Sequence, residues 1–185
     1  MGTATGAAPA LTRERVVDAA IALAEREGLA ELSMRRLAGE LGAGTMSLYN
    51  HVSDKEDLLD AMVEQVLAGV RVATSPDWRE VAATWATDSR AALLDRLALI
   101  PLVVAPQRLG HLGRISRAVV AELVAAGLAP ESAAVVVRVV GRYFAGAVLL
   151  DAPRIRTGRD RTALDRTFAT GLTALLTGLG PEVAP

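Results

Sequence analysis

The chain has 185 residues, 51% of them apolar but only 3% aromatic, so its core must be built from Ala, Val and Leu, a palette suited to helix packed on helix. With no cysteine and two histidines, His51 and His111, disulfides, Cys-ligated zinc and a histidine-rich metal centre are excluded, and a reducing cytoplasm is the expected compartment. The net charge of −1 favours no class of partner, and residues 1–60 hold six Lys/Arg against ten Asp/Glu, so a nucleic-acid surface there has to gather a few cations and helix N-termini on one face.

Residues 1–10 are small and uncharged, lack the pattern of a secretory signal, and read as a disordered leader. Thr12 caps a first helix with Glu14 in its first turn; Val16, Ala20, Leu23 and Ala24 form its apolar stripe, and Gly28 ends it. Ser33 caps a short helix with Leu37, Ala38 and Leu41 inward, stopped by Gly42. A turn over 42–44 leads to a very short helix over 45–51, with Leu48 and Val52 facing inward. Ser53 and Glu56 read as a capping box for a long fourth helix with Leu58, Leu59, Met62, Val66 and Val70 on its apolar face.

Pro76 and Asp77 mark the next break. A helix over about 78–97 turns Val81, Trp85, Leu93 and Leu97 inward, and Pro101 and Pro106 bracket the apolar segment 102–105. A further helix over about 109–126 carries Leu112, Ile115, Val119, Val120 and Leu123 and ends at Gly127. Pro130 opens a long helix to about residue 152, followed by an arginine-rich solvated loop over 153–161 and a last helix over about 161–179 bearing Leu164, Phe168, Leu172 and Leu175. The stretch 133–150 is the most apolar, but Arg138 and Arg142 interrupt it before the roughly 20 uninterrupted residues of a membrane span. It is expected to be buried, at a subunit interface, and no membrane association is expected.

Residues 34–51 have the layout of a helix-turn-helix: short helix, glycine turn, second short helix. Gly42 and Gly44 permit a tight turn and close backbone approach to DNA. Arg35 suits guanine and Asn50 adenine, while Thr45 and Met46 suit thymine methyls. Ser33, Ser47, Tyr49 and His51 are placed for phosphates, and Lys55 adds charge at the start of the fourth helix. On pattern alone, a plain three-helix bundle with solvated polar residues fits nearly as well.

The run LTRERVVDAAIALAEREGLAELSMRRLAGELGAGTMSLYNHVSDKEDLLDAM, above all LSMRRLAGELG and SLYNHVSDKEDLL, resembles the DNA-binding domain of the tetracycline repressor (TetR) family over about fifty residues. The resemblance implies phosphate contacts from Tyr49, His51 and Lys55, with Arg35, Thr45, Met46, Ser47 and Asn50 along the groove. It implies an all-α fold, with a reading head over 11–56 and a helical ligand-binding and dimerisation domain over 57–185. Residues VVGRYFAGAVLLD and FATGLTALLTGL look like the helices that pair in the family's dimers, here near 131–152 and 161–179. Such a protein is a cytoplasmic repressor on a pseudo-palindromic operator, released when a small, often apolar effector binds and the fourth helix swings. The histidines that hold metal-bound tetracycline in the founding member have no counterparts, so tetracycline is not the expected effector.

Candidate pocket residues are Trp85, Leu97, His111, Ile115, Tyr143 and Ala147, although core packing is the simpler role for Trp85 and a structural hydrogen bond for His111. Arg138 and Arg142 are expected to pair with Asp151 or with an acid across the dimer, an anionic ligand being the second choice. No nucleophile motif or phosphate-binding glycine loop occurs, and no cofactor or metal is expected. The rival classes are a small helical enzyme using His111 and a helical interaction module that does not read DNA.

Overall fold

The computed structural model describes residues 10–103, 105 and 109–183, with backbone alone for 109–114 and 181. The described residues form helices and turns with no strand, as the composition requires. All but Ala10 of the expected leader lies outside them, as do Pro106 and part of the segment expected over 102–105. The chain divides into two compact units at Met62/Val63, further along the fourth helix than the boundary expected at 56. The division follows burial: Leu58, Leu59 and Met62 are all core residues.

The first unit is built from α1 (Arg13–Glu27), α2 (Met34–Glu40), α3 (Thr45–Tyr49) and the start of α4 (Lys55–Ala68). The Thr12 hydroxyl accepts the Arg15 amide and the Ser33 hydroxyl that of Arg36, so both expected caps are in place. The stripe of Val16, Ala20, Leu23 and Ala24 is fully buried, joined by Leu37, Leu48 and Val52. Gly42 turns the chain at φ +62°, a conformation that side chains resist, whereas Gly44 at φ −73° is ordinary extended backbone. Helix α3 ends at Tyr49, two residues before the expected 51.

The capping box before α4 differs from the expected pair of Ser53 and Glu56. Asp54 caps the helix by accepting the Asp57 amide, while the Asp57 carboxylate reaches back to the Ser53 amide at 2.7 Å. The carboxylate at 57 also takes both guanidinium nitrogens of Arg13, at 2.6 and 3.0 Å, and Arg13 donates to the His51 carbonyl at 2.8 Å. These bonds, the Arg13 pair first, hold the Asp57 carboxyl at about 2, below its usual 3.8.

In the second unit α5 (Trp78–Leu94), α7 (Leu109–Ala125) and α9 (Arg161–Val183) pack around α8 (Pro130–Arg156), with the four-residue α6 (Ile100–Val103) between α5 and α7. Helix α5 ends three residues before the expected 97, and Leu97 opens a separate 3-10 turn. Helix α8 is long and apolar enough to cross a membrane by composition; here Val136, Val140, Phe144 and Val148 on one stripe are buried among the other helices. It also runs through Pro153, which corrects the loop expected over 153–161 to 157–160. Pro153 gives up the bond its amide would have made to the Leu149 carbonyl, yet the helix continues past it, and the true stop is Gly158 at φ +82°. There the Gly158 and Arg159 amides close onto the carbonyls of Ile155 and Arg154. Helix α9 extends to Val183, past the expected 179, because its buried stripe of Phe168, Leu172 and Leu176 continues to Val183.

The expected pairing of Arg138 or Arg142 with Asp151 does not form. Asp151 is taken by Arg90 of α5 at 2.8 Å, and the same guanidinium meets Asp165 of α9 at 2.5 Å and lies 4.7 Å over the Phe168 ring. Arg90 is 4% exposed, so one buried charge fastens three helices, with Asp151 largely buried beside it and Asp165 at the water side.

Two outcomes follow for stability. Arg90→Leu, which strands a buried Asp151 carboxylate, is expected to cost about 3 kcal/mol or more in denaturant unfolding, with Asp151→Leu added to it restoring part of the loss. Asp57→Asn is expected to cost about 1 kcal/mol near neutral pH, a figure discounted for partial exposure. Because the folded carboxyl titrates below the unfolded one, that contribution is complete above about pH 4 and fades as pH falls toward 2. Melting curves of the two proteins should therefore converge in acid, and a pH-independent gap would remove the clasp.

Candidate nucleic-acid interface and ligand cavity

Helix α3 is just over one turn long, and Leu48 is its only buried residue. Everything else on it is therefore available to a partner. Met46 is 77% exposed and Tyr49 41%, side by side on one short helix, and Ser47 and Asn50 are exposed beside them. Thr45 and His51 are half-buried at its two ends, Gly44 is its N-cap, and the His51 amide closes the last turn onto Leu48. A helix this slim, framed by α2 and a glycine turn, fits a major groove about 12 Å wide.

Charge is sorted residue by residue around it. Arg36 is engaged by Glu27 at 2.7 and 3.1 Å, which holds the Glu27 carboxyl below its ordinary range, and Arg26 is shared between Glu27 and Glu40. Arg35, its neighbour in sequence, is exposed, as is Lys55 at the first position of α4, and neither makes an ion pair among the described residues. The acidic balance of the N-terminal segment is thus partly spent on Arg13, Arg26 and Arg36, leaving Arg35 and Lys55 uncommitted. Ser33 is exposed, but its hydroxyl oxygen already accepts a cap hydrogen bond, so it offers a partner only its proton.

The second unit holds a cavity of about 310 Å³ with a predominantly apolar lining. Trp85 forms one wall, edge-on to Phe144 with ring centroids 5.2 Å apart at 87°, and Ile115 of α7 forms another. Of the other candidate pocket residues, Leu97 sits half-buried in its 3-10 turn away from this lining. Tyr143 and Ala147 line a separate depression between α8 and α9; there the Tyr143 hydroxyl donates to the Phe168 carbonyl at 2.8 Å, and burial raises its pKa. His111 lies on α7, with its side chain outside the described residues. Sequence reasoning missed Val137, Gly141 and Phe144, which line the cavity from α8. Their spacing of four and three is a helical stripe, a signal that was present but could not be told from ordinary core. Among the described residues, no group of three His, Cys, Asp or Glu is placed to hold a metal ion.

Comparison with known proteins agrees with this architecture. The profile of bacterial regulatory proteins of the tetR family matches residues 16–62, the first unit. An HTH-type transcriptional regulator of Saccharopolyspora erythraea is 36% identical over 147 residues, which cover 76% of this chain but 61% of that relative, so the chain spans about three-fifths of its length. Among solved structures, BioQ of Mycobacterium smegmatis superposes with a TM-score of 0.78 at 30% identity, covering 93% of this chain and 99% of that one. The Streptomyces coelicolor TetR family protein ActR, in complex with actinorhodin, gives a TM-score of 0.76 at 26% identity, covering 96% and 99%. A helix-turn-helix unit followed by a larger helical unit, matched along nearly the whole length of these structures, places the chain in the TetR family.

Proposed function

We propose that the protein is a transcriptional regulator, most simply a repressor, that binds operator DNA through α2 and α3 and lets go when a small molecule enters the second unit. The observation that carries this reading is the outward face of α3. Met46, Ser47, Tyr49 and Asn50 stand clear of the core, with Arg35 and Lys55 uncommitted nearby. In this reading Arg35 and Asn50 address base edges, Thr45 and Met46 meet thymine methyls, and Ser33, Ser47, Tyr49, His51 and Lys55 meet phosphates beside Gly44. DNA as the target puts the site of action in the cytoplasm.

The effector site in this reading is the cavity beside Trp85. Its link to DNA is α4, which carries Lys55 at one end and, near the other, Leu67, a lining residue of the cavity. A shift of that helix alters the setting of the reading head, and two such heads at fixed separation read a pseudo-palindrome. Pairing of two chains through α8 and α9 is supported by Leu149 and Leu150, large apolar side chains of α8 that lie 51% and 64% exposed.

Fluorescence anisotropy on a fragment of the protein's own promoter tests the DNA reading. Arg35→Ala is expected to lose about 1–3 kcal/mol on the specific site and little elsewhere. Lys55→Ala should weaken all duplexes and lower the slope of log affinity against log salt by about one. Failure to bind any promoter fragment at low salt would overturn the proposal. For the dimer, Leu149→Glu with Leu150→Glu is expected to give a helical monomer in sedimentation and to abolish operator binding; an unchanged dimer would move the interface elsewhere.

A further inference from the structure

The cavity is apolar in its body but not at its rim. Arg138 and Arg142 of α8 both contribute to the lining while remaining exposed, as long side chains do that can lay an apolar stem against a wall and keep a charged head in water. They stand one helical turn apart, where like charges repel, and neither has an acidic partner among the described residues. Asp151 and Asp165 are engaged by Arg90, and Asp88 by Arg71 at 2.9 Å. Deeper in, Trp85 and Phe144 offer aromatic surface, and Gly141, between the two arginines in sequence, lies close to the Trp85 indole, where an added Cβ would meet the ring at 3.4 Å.

Building on the reading of this cavity as the effector site, we propose that it takes a planar aromatic molecule bearing an anionic group, the ring against Trp85 and the anion on Arg138 and Arg142. An anion there relieves the repulsion of two adjacent guanidiniums and gains charge-assisted hydrogen bonds, while the ring fills the apolar volume. Neutral aromatics of the same shape gain only the second contribution.

A matched pair of probes tests this on the full chain: 8-anilinonaphthalene-1-sulfonate and its uncharged analogue N-phenyl-1-naphthylamine. With Trp78→Phe, Trp85 is the only tryptophan; quenching of its emission reports probe binding, and loss of that binding on Ala145→Phe, which fills the cavity from its α8 wall, assigns the probe to the cavity. The expected result is quenching by both, with the sulfonate bound at least tenfold more tightly. Arg138→Gln with Arg142→Gln should erase that preference and leave the neutral probe's affinity unchanged. Equal affinities in the unsubstituted arginine protein, or a preference that survives the double substitution, overturn the anion assignment while leaving the cavity reading standing. Absence of Trp85 quenching by either probe overturns the cavity reading itself. Dissociation of the dimer by the double substitution, in sedimentation, would give the arginines to subunit contact and overturn the proposal.

Discussion

A five-residue helix cannot hold itself together in water, where isolated helices of fewer than about 12–15 residues are marginal, so everything this protein presents on α3 depends on how that helix is pinned from outside. Leu48 at 0% and Val52 at 1% exposure are the pins. They sink into a core supplied by Val16, Leu23, Leu37 and Leu58, four residues from three other helices. The clasp from Arg13 to the His51 carbonyl and the Asp57 carboxylate then fixes the exit from α3 against the entry to α4. Because those contacts do the holding, Met46, Ser47, Tyr49 and Asn50 are released from structural duty, and a short helix can be almost all surface.

The second unit meets a different constraint, a core nearly without aromatics. The few rings present are concentrated: Trp85 against Phe144, and Tyr143 stacked on Phe168 with centroids 5.2 Å apart. Around them Ala, Val and Gly let helices approach closely but do not fill the space between α5, α7 and α8, and the cavity is what is left. A buried guanidinium at Arg90, lying over the Phe168 ring, then supplies a fixed joint among α5, α8 and α9. Its Nε has no hydrogen-bond partner among the described residues, which makes the joint costly to keep.

Much of this was legible in the residues. Caps at Thr12 and Ser33, the glycine stop at Gly28, the proline start at Pro130 and the apolar stripes are local signals, set within a turn or two of chain, and they appear where the pattern places them. What escaped was decided over longer distances or by competing local chemistry. Asp54 rather than Ser53 caps α4, and the Asp57 carboxylate is shared between the Ser53 amide and Arg13, forty-four positions away. Pro153 looked like a terminator, yet the backbone stops only where Gly158 can adopt positive φ. Arg138 and Arg142 looked destined for Asp151 by proximity along α8, and lost it to Arg90, sixty-one residues distant and invisible to any periodicity. The division of arginines into committed Arg36 and uncommitted Arg35 could not be read from two identical neighbours.

The seam between the two units, falling inside α4 rather than in a loop, leaves no natural place for a cut. A fragment ending at residue 56 would discard Leu58, Leu59 and Met62 and so leave its own core open. Exchange of heads between relatives must instead be spliced within a continuous helix and in phase. Each residue gained or lost at the junction turns whatever follows by about 100°, so recombination there succeeds only between chains that keep count.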